Sequence, residues 1–260
     1  MESEPIRVTT SDGMATIVIN RPARKNAVTQ AMWAELAATV NGLSGDPEAR
    51  VIVLRGAGQD FSAGADIAEF NTLRGSPDSA RIYEAGNSAA FASLRNCSVP
   101  VIAAIRGICF GGGFGLAAAC DLRLATADAV FAVPAARLGL AYPQDAMGDI
   151  VSAAGPQMAR YLTYTAARIG APAALAAGFL LEIVEAAEFD ARVEEIARGI
   201  ARNAPLSVRA SKAAIRAALS HDPEEAALAR SLGDATFPSE DYAEGRAAFH
   251  ARRTPHFKGC

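Results

Sequence analysis

The chain is poor in the residues that build metal centres and disulfide frameworks. It has four cysteines and three histidines among 260 residues. No two cysteines form a Cys-x-x-Cys pair, and no His, Cys and carboxylate cluster has the spacing of a metal site. We therefore predict no bound metal, and we expect Cys97, Cys109 and Cys120 to be buried free thiols.

The chain also lacks a basic excess and long apolar runs. Lys and Arg number 25 against 28 Asp and Glu, which gives a net charge of -3 and argues against nucleic-acid binding. No apolar run approaches the roughly 20 residues of a membrane span. The start, MESEPIRV, has neither the apolar segment of a signal peptide nor an Arg-rich transit pattern. We expect a cytoplasmic protein that binds neither nucleic acid nor membrane.

What the chain does have is a globular composition, with 51% hydrophobic and 20% charged residues. Residues 6–10 and 15–20 flank Asp12-Gly13, which predicts a β-hairpin. Apolar residues recur at helical spacing after Thr29, a candidate N-cap. Pro77 marks the start of a second helix.

Short apolar runs at 51–55, 101–105, 122–125 and 130–133 predict further strands. Strands alternating with helices favour an α/β fold with a mostly parallel sheet. From Gln157 onward the chain is Ala-rich and helical in pattern.

Two glycine-rich turns are the most informative segments, FSAGADIAEF (61–70) and RGICFGGGFGLAAACDL (106–122). Each follows a predicted strand, and the second leads into a predicted helix whose first N–H groups have no intrahelical partner. Two such turns on one sheet could aim two N–H groups at one point, as in an oxyanion hole. Alternatively, the glycines only let a helix pack closely on a strand.

With INRPARKNAVT (19–29) and SEDYAEGRAAFHARRTPHFKG (239–259), the turns resemble the crotonase superfamily, also called the enoyl-CoA hydratase/isomerase family. The resemblance runs from about residue 8 to residue 259. It implies a spiral of ββα units over residues 1–195 and a C-terminal helical trimerisation region over 196–260. It also implies acyl-CoA thioester substrates, an enolate-like intermediate, no further cofactor, and a homotrimer or dimer of trimers.

The resemblance assigns site residues by position. The oxyanion donors would be the backbone N–H groups of Ala65 and Gly112. Contacts to coenzyme A would come from Arg24 and Lys25 near the phosphates, Ala63, Asp66 and Ile67 near the adenine, and Phe257 and Lys258 at the C-terminal end. The alternatives are solvated surface charge for the first pair and a frayed tail for the last pair.

The two glutamates of the family's hydratases are missing, because their positions hold Gly115 and Ala135. Neither residue can transfer a proton, so we predict lyase, decarboxylase or isomerase chemistry rather than efficient hydration. Tyr142 matches a tyrosine of the decarboxylase branch, and Asp145 is among the nearest carboxylates. Both are candidate catalytic residues, although Tyr142 could instead bond to backbone and Asp145 could cap a helix.

Two functions remain open at this point. The first is an acyl-CoA enzyme that works through a thioester enolate. The second is a degenerate acyl-CoA-binding paralogue with little catalysis. The sequence specifies neither the acyl group nor the proton donor.

Overall fold

The computed structural model describes residues 4–260, so the first three residues of the acidic start lie outside the description. Within residues 4–260 the strands are β1 (Ile6–Ser11), β2 (Met14–Ile19), β3 (Val51–Gly56), β4 (Val101–Ile105), β5 (Ile108–Phe110), β6 (Leu122–Thr126), β7 (Val130–Ala132), β8 (Arg168–Gly170) and β9 (Glu182–Val184). The larger sheet has the order β1-β2-β3-β4-β6-β9, and the smaller one β5-β7-β8. Pairing in the larger sheet is parallel except between β1 and β2.

Helices follow or connect most strands. They are α1 (Gln30–Gly45), α2 (Phe70–Leu73), α3 (Pro77–Asn96), α4 (Gly112–Ala119), α5 (Gln144–Thr165), α6 (Ala171–Ala176), α7 (Phe189–Ala201), α8 (Pro205–Ser220), α9 (Pro223–Asp234) and α10 (Glu240–Ala251). No helix among the described residues combines the length and apolar character needed to cross a membrane. The α/β class with a helical C-terminal region is confirmed.

The locally predicted elements form for the expected reasons. Asp12 and Gly13 both have positive φ, 51° and 76°, so the hairpin turns tightly between β1 and β2. The Thr29 side chain accepts a hydrogen bond from the Met32 N–H and caps α1. Cys97, Cys109 and Cys120 are buried free thiols, as predicted.

The core occupies both faces of the larger sheet. Helices α1, α3 and α4 contribute to the cluster on one face. On the other face, Phe189 and Val193 of α7 pack against Val51 and Ile102 of the strands. The predicted domain boundary between residues 195 and 196 therefore falls inside a core helix. We correct the start of the C-terminal helical region to the residues after α7.

The C-terminal helices contact the amino ends of the parallel strands, whereas the glycine turns lie at the carboxyl ends. The Lys212 ammonium donates to the Val99 carbonyl and pairs with Asp121, and both residues precede strands β4 and β6. Both glycine turns instead follow the carboxyl ends of β3 and β4. The site at those ends is therefore built by the sheet and by helices α1 to α5.

Candidate active site

The first glycine turn is fixed by two buried polar side chains. Asn26 is fully buried, and its amide donates to the carbonyls of Ala57 and Asp60 at 2.9 and 2.6 Å. The buried Ser62 hydroxyl donates to the Asn26 carbonyl at 2.8 Å and accepts from the Gly64 N–H at 3.1 Å. These bonds join the turn after β3 to the loop before α1.

A short parallel bridge then orients Ala65. The Val28 N–H donates to the Gly64 carbonyl, and the Asp66 N–H donates to the Val28 carbonyl. Because successive peptide groups along a strand alternate in direction, the Ala65 N–H points away from this bridge. Among the described residues, it has no hydrogen-bond acceptor.

The second glycine turn supplies the other N–H. Gly111 has φ 50° and ψ -118°, a conformation that favours glycine, and it is followed at once by α4. The Gly112 N–H is the first of this helix and donates to no acceptor within residues 4–260. The helix dipole places partial positive charge at the same point.

The two N–H groups lie side by side because no Cβ atom separates the turns. A Cβ added at Gly64 would stand 2.7 Å from the Gly112 nitrogen. One added at Gly112 would stand 3.5 Å from the Ala65 nitrogen and 2.9 Å from the Trp33 ring. Two adjacent unpaired backbone donors form a site that can hold one developing oxyanion.

The space beside Gly115 is already filled. A Cβ at this position would overlap the Tyr142 hydroxyl and stand 2.9 Å from two ring carbons of Phe91. The Tyr142 and Phe91 rings stack with centroids 6.5 Å apart. The space beside Gly115 is therefore occupied by two aromatic side chains and is not an empty pocket.

The Tyr142 hydroxyl donates to the Gly111 carbonyl at 2.9 Å. That carbonyl and the Gly112 N–H belong to one peptide group, so Tyr142 holds the peptide that carries an oxyanion donor. Burial raises the pKa of Tyr142 far above its ordinary value, which keeps the hydroxyl protonated. Tyr142 thus lies beside the oxyanion donors, with its proton shared with backbone.

The other two positions singled out in the sequence, Ala135 and Asp145, offer little chemistry at the N–H pair. Ala135 lies partly buried in the 3₁₀ turn Pro134–Leu138 and contributes only a methyl group. Asp145 is exposed in the first turn of α5 and accepts a hydrogen bond from Ser88 of α3 at 3.0 Å. It lies at the rim between these helices rather than at the N–H pair.

Sequence reasoning missed the polar face of α3. Burial outweighs the pairing of Glu84 with Arg74 and raises the pKa of Glu84, while Asp145 raises it further. Tyr83 and Asn87 are buried on the same helix. The signal was present, because Tyr83, Asn87 and Phe91 recur every four residues after Pro77.

Most of the residues predicted to contact coenzyme A cluster beside the first turn. The Ala63 N–H donates to the Lys25 carbonyl, and the Asp66 carboxylate pairs with Arg21 at 2.9 Å. Burial opposes ionisation of Asp66, but the hydrogen bonds from Arg21 and the Ala68 N–H hold its pKa below the usual range. Arg24, Lys25 and Ile67 are exposed there and are accessible to a ligand.

Phe257 and Lys258 do not join this cluster within the chain. The Phe257 carbonyl accepts from Arg50, and the Lys258 N–H donates to Asp241. Arg50 precedes β3, whereas Ala65 follows its other end, and six strand residues span about 20 Å. Phe257 and Lys258 therefore lie towards the other end of β3 from the first glycine turn, and their contact with coenzyme A stays a prediction.

Among residues 4–260, no group of His, Cys, Asp and Glu side chains is placed to hold a metal ion. What the site offers is a pair of backbone donors, a protonated tyrosine and a rim of carboxylates. Two adjacent backbone donors are suited to polarising a carbonyl group.

Comparisons with known proteins identify the family and the fold of the chain. A sequence profile of the family described as Enoyl-CoA hydratase/isomerase matches residues 9–260. The crotonyl-CoA hydratase of Syntrophomonas wolfei is 32% identical over 99% of both chains, and the carnitinyl-CoA dehydratase of Proteus mirabilis is 34% identical over 99% of both. A crystal structure of an enoyl-CoA hydratase/carnithine racemase from Magnetospirillum magneticum has TM-score 0.91 and 37% identity, covering 100% of this chain and 97% of that one.

The filled space at Gly115 gives a stability prediction. Gly115→Ala adds a methyl group against Tyr142 and Phe91, so we expect unfolding in urea to show a loss of about 1–3 kcal/mol. Gly148→Ala is the matched control, because a Cβ there meets nothing within 4 Å, and it should be neutral or stabilising. Equal stability of the two variants would contradict the packing described here.

Proposed function

The chain belongs to the enoyl-CoA hydratase/isomerase family, and we propose that it holds a thioester enolate between the N–H groups of Ala65 and Gly112. The observation that carries this proposal is the convergence of two unpaired backbone donors at the start of α4. A thioester carbonyl between them gains negative charge as the enolate forms, and fixed donors stabilise that charge without reorganisation.

We further propose that the reaction is a lyase, decarboxylase or isomerase step rather than efficient hydration. Hydration needs an acid and a base at the double bond, and Gly115 and Ala135 supply neither. The relatives named as hydratase and dehydratase show what the family can do, but the Tyr142 and Phe91 side chains occupy the space beside Gly115. Cytoplasmic location likewise stays a prediction.

Tyr142 and Asp145 are our candidates for handling the proton. The Tyr142 hydroxyl is protonated and bonds to the carbonyl of the peptide that carries the Gly112 donor. Because the C=O and N–H of a trans peptide point in opposite directions, the hydroxyl would have to leave this carbonyl to reach the enolate. Asp145 bonds to Ser88 at the rim and could act as a base through a water. The bond from Tyr142 to Gly111 also favours the second candidate function, an acyl-CoA binder in which this tyrosine is structural.

For the coenzyme A moiety, we propose that Arg24 and Lys25 approach the phosphates, and that Ala63, Asp66 and Ile67 border the adenine. Exposure of Arg24, Lys25 and Ile67 supports this assignment. Phe257 and Lys258 would reach the same ligand only from a neighbouring copy of the chain.

The oxyanion proposal can be tested by removing the N–H of Ala65. Replacing Ala65 by lactic acid turns its peptide into an ester that lacks the donor and weakens the Gly64 carbonyl as the acceptor of the Val28 N–H. Because the Ala65 N–H itself has no acceptor within the described chain, we expect a loss of stability of no more than about 1 kcal/mol. On a substrate found by screening acyl-CoAs, kcat should fall about 10²–10³-fold.

The same ester at Ala129, a residue with no proposed role in the site, is the control. The Ala129 N–H donates to the Thr126 carbonyl, so this variant should lose about 0.5–1.5 kcal/mol of stability but keep its turnover. Normal turnover by the Ala65 ester would refute the proposed donor. In the same screen, hydration of crotonyl-CoA at rates usual for a hydratase would show that an unrecognised acid and base are present.

A second prediction separates Tyr142 from Asp145. Tyr142→Phe keeps the ring stack with Phe91 and removes only the hydroxyl, so we expect a lower kcat with a folded protein. Asp145→Asn should change kcat less. The reverse ranking would assign the proton transfer to Asp145, and unchanged turnover in both variants would favour the binder.

A third prediction concerns assembly. We propose a homotrimer or a dimer of trimers, because large apolar side chains on and beside α8 to α10 are exposed, including Ile215, Leu219, Phe237 and, at 83%, Phe249. Sedimentation at micromolar concentration should give three or six copies. A stable monomer would contradict both the assembly and the contact of Phe257 with a neighbouring site.

A further inference from the structure

Four buried polar atoms on α1, on α3 and at the end of α2 have no hydrogen-bond partner among the described residues. They are Trp33 Nε1, Arg74 Nε, Tyr83 Oη and Asn87 Oδ1. Trp33 and Tyr83 are fully buried, and the Arg74 side chain is 10% exposed. Leaving one such group unpaired costs about 1–3 kcal/mol, so four together indicate a site that a ligand completes.

Side-chain contacts link three of these residues to one another and to Gly112. Burial raises the pKa of Tyr83 and the neighbouring Trp33 indole opposes this rise, so these two side chains lie together. The Trp33 ring lies 2.9 Å from the place of a Cβ at Gly112. The Arg74 guanidinium lies 4.4 Å from the ring centroids of both Phe70 and Tyr83. Asn87 follows Tyr83 by four residues and shares its face of α3.

The atom types specify the chemistry of the missing partner. Trp33 Nε1 and Arg74 Nε can only donate, the Tyr83 hydroxyl can donate or accept, and Asn87 Oδ1 accepts. A ligand oxygen can accept from the donors, and a hydroxyl can also donate to Asn87. The Arg74 charge is already paired with Glu84 at 2.7 Å, which favours a neutral oxygen over a carboxylate.

The position on α3 indicates how far along the acyl chain this oxygen lies. Phe91 faces Gly115, one turn into the helix that begins with the oxyanion donor. Asn87 lies about 6 Å from Phe91 along α3, and Tyr83 about 12 Å. The cluster is therefore several carbon atoms beyond the carbons that would lie beside Gly115.

We propose that Trp33, Arg74, Tyr83 and Asn87 form a subsite for a neutral hydroxyl or carbonyl oxygen several carbons from the thioester. The inference rests on the proposed acyl-CoA function and adds that the acyl chain is oxygenated, not a plain hydrocarbon. A site built to bond such an oxygen discriminates against the analogue that lacks it, because its own polar groups then stay unpaired.

The test compares acyl-CoAs of matched length by calorimetry and by the fluorescence of Trp33, the chain's single tryptophan. We expect 5-hydroxyhexanoyl-CoA or 5-oxohexanoyl-CoA to bind at least about tenfold more tightly than hexanoyl-CoA. Adipoyl-CoA, which carries a carboxylate, should bind more weakly than either. Equal affinity for hexanoyl-CoA, or tightest binding of adipoyl-CoA, would overturn the proposal.

Two variants test whether Tyr83 and Asn87 cause the preference for oxygenated acyl chains. Tyr83→Phe and Asn87→Leu should each lower the preference for the oxygenated chains and leave hexanoyl-CoA affinity unchanged. Tyr161→Phe changes an exposed tyrosine and is the control. Tyr83→Phe removes an unpaired hydroxyl, so its stability should be equal or higher. An equal loss of affinity for every acyl-CoA would show that these residues are structural.

The outcomes also separate this inference from the proposed function. If hexanoyl-CoA binds but oxygen adds nothing, only the subsite is wrong. If no acyl-CoA binds, both proposals fail.

Discussion

The close approach of two backbone segments, at Gly64 and Gly112, is the constraint on which the rest of the site depends. A Cβ at Gly64 would lie 2.7 Å from the Gly112 nitrogen, so any side chain there would separate the two donors. Around this contact, Asn26 and Ser62 fix the first turn and Tyr142 fixes the peptide of the second. The two unpaired backbone donors, which in our proposal polarise a thioester carbonyl, are therefore held in place by several contacts rather than by any single side chain.

In this arrangement, acid and base side chains can be replaced while the two backbone donors stay in position. The proposed donors are backbone N–H groups, so they do not depend on which side chain stands at position 115. Tyr142 and Phe91 occupy the volume beside Gly115, and buried polar groups lie on the face of α3 that carries Tyr83, Glu84 and Asn87. We interpret this as a site adapted to another acyl group and another proton route.

Local signals in the sequence were enough for several elements, because the Asp12-Gly13 hairpin and the Thr29 cap depend on neighbouring residues. The donors at Ala65 and Gly112 were instead assigned from the resemblance to the family, and they stay a prediction. The features that the sequence could not show depend on contacts between residues that are far apart along the chain. The bond of Tyr142 to Gly111 and the stacking of Arg74 between Phe70 and Tyr83 join separate segments. The packing of α7 on the sheet is also a contact between distant residues, and for this reason the sequence placed the start of the C-terminal helical region too early.

The central claim is that the Ala65 and Gly112 N–H groups polarise a thioester carbonyl, and the vibration of that carbonyl reports it directly. Infrared difference spectra of the protein with hexanoyl-CoA, labelled with ¹³C at the thioester carbon or unlabelled, isolate this band. The account predicts a carbonyl stretch at lower frequency than in free hexanoyl-CoA, and a smaller shift when Ala65 is replaced by lactic acid. A bound thioester whose band stays at the frequency of the free compound would contradict the account.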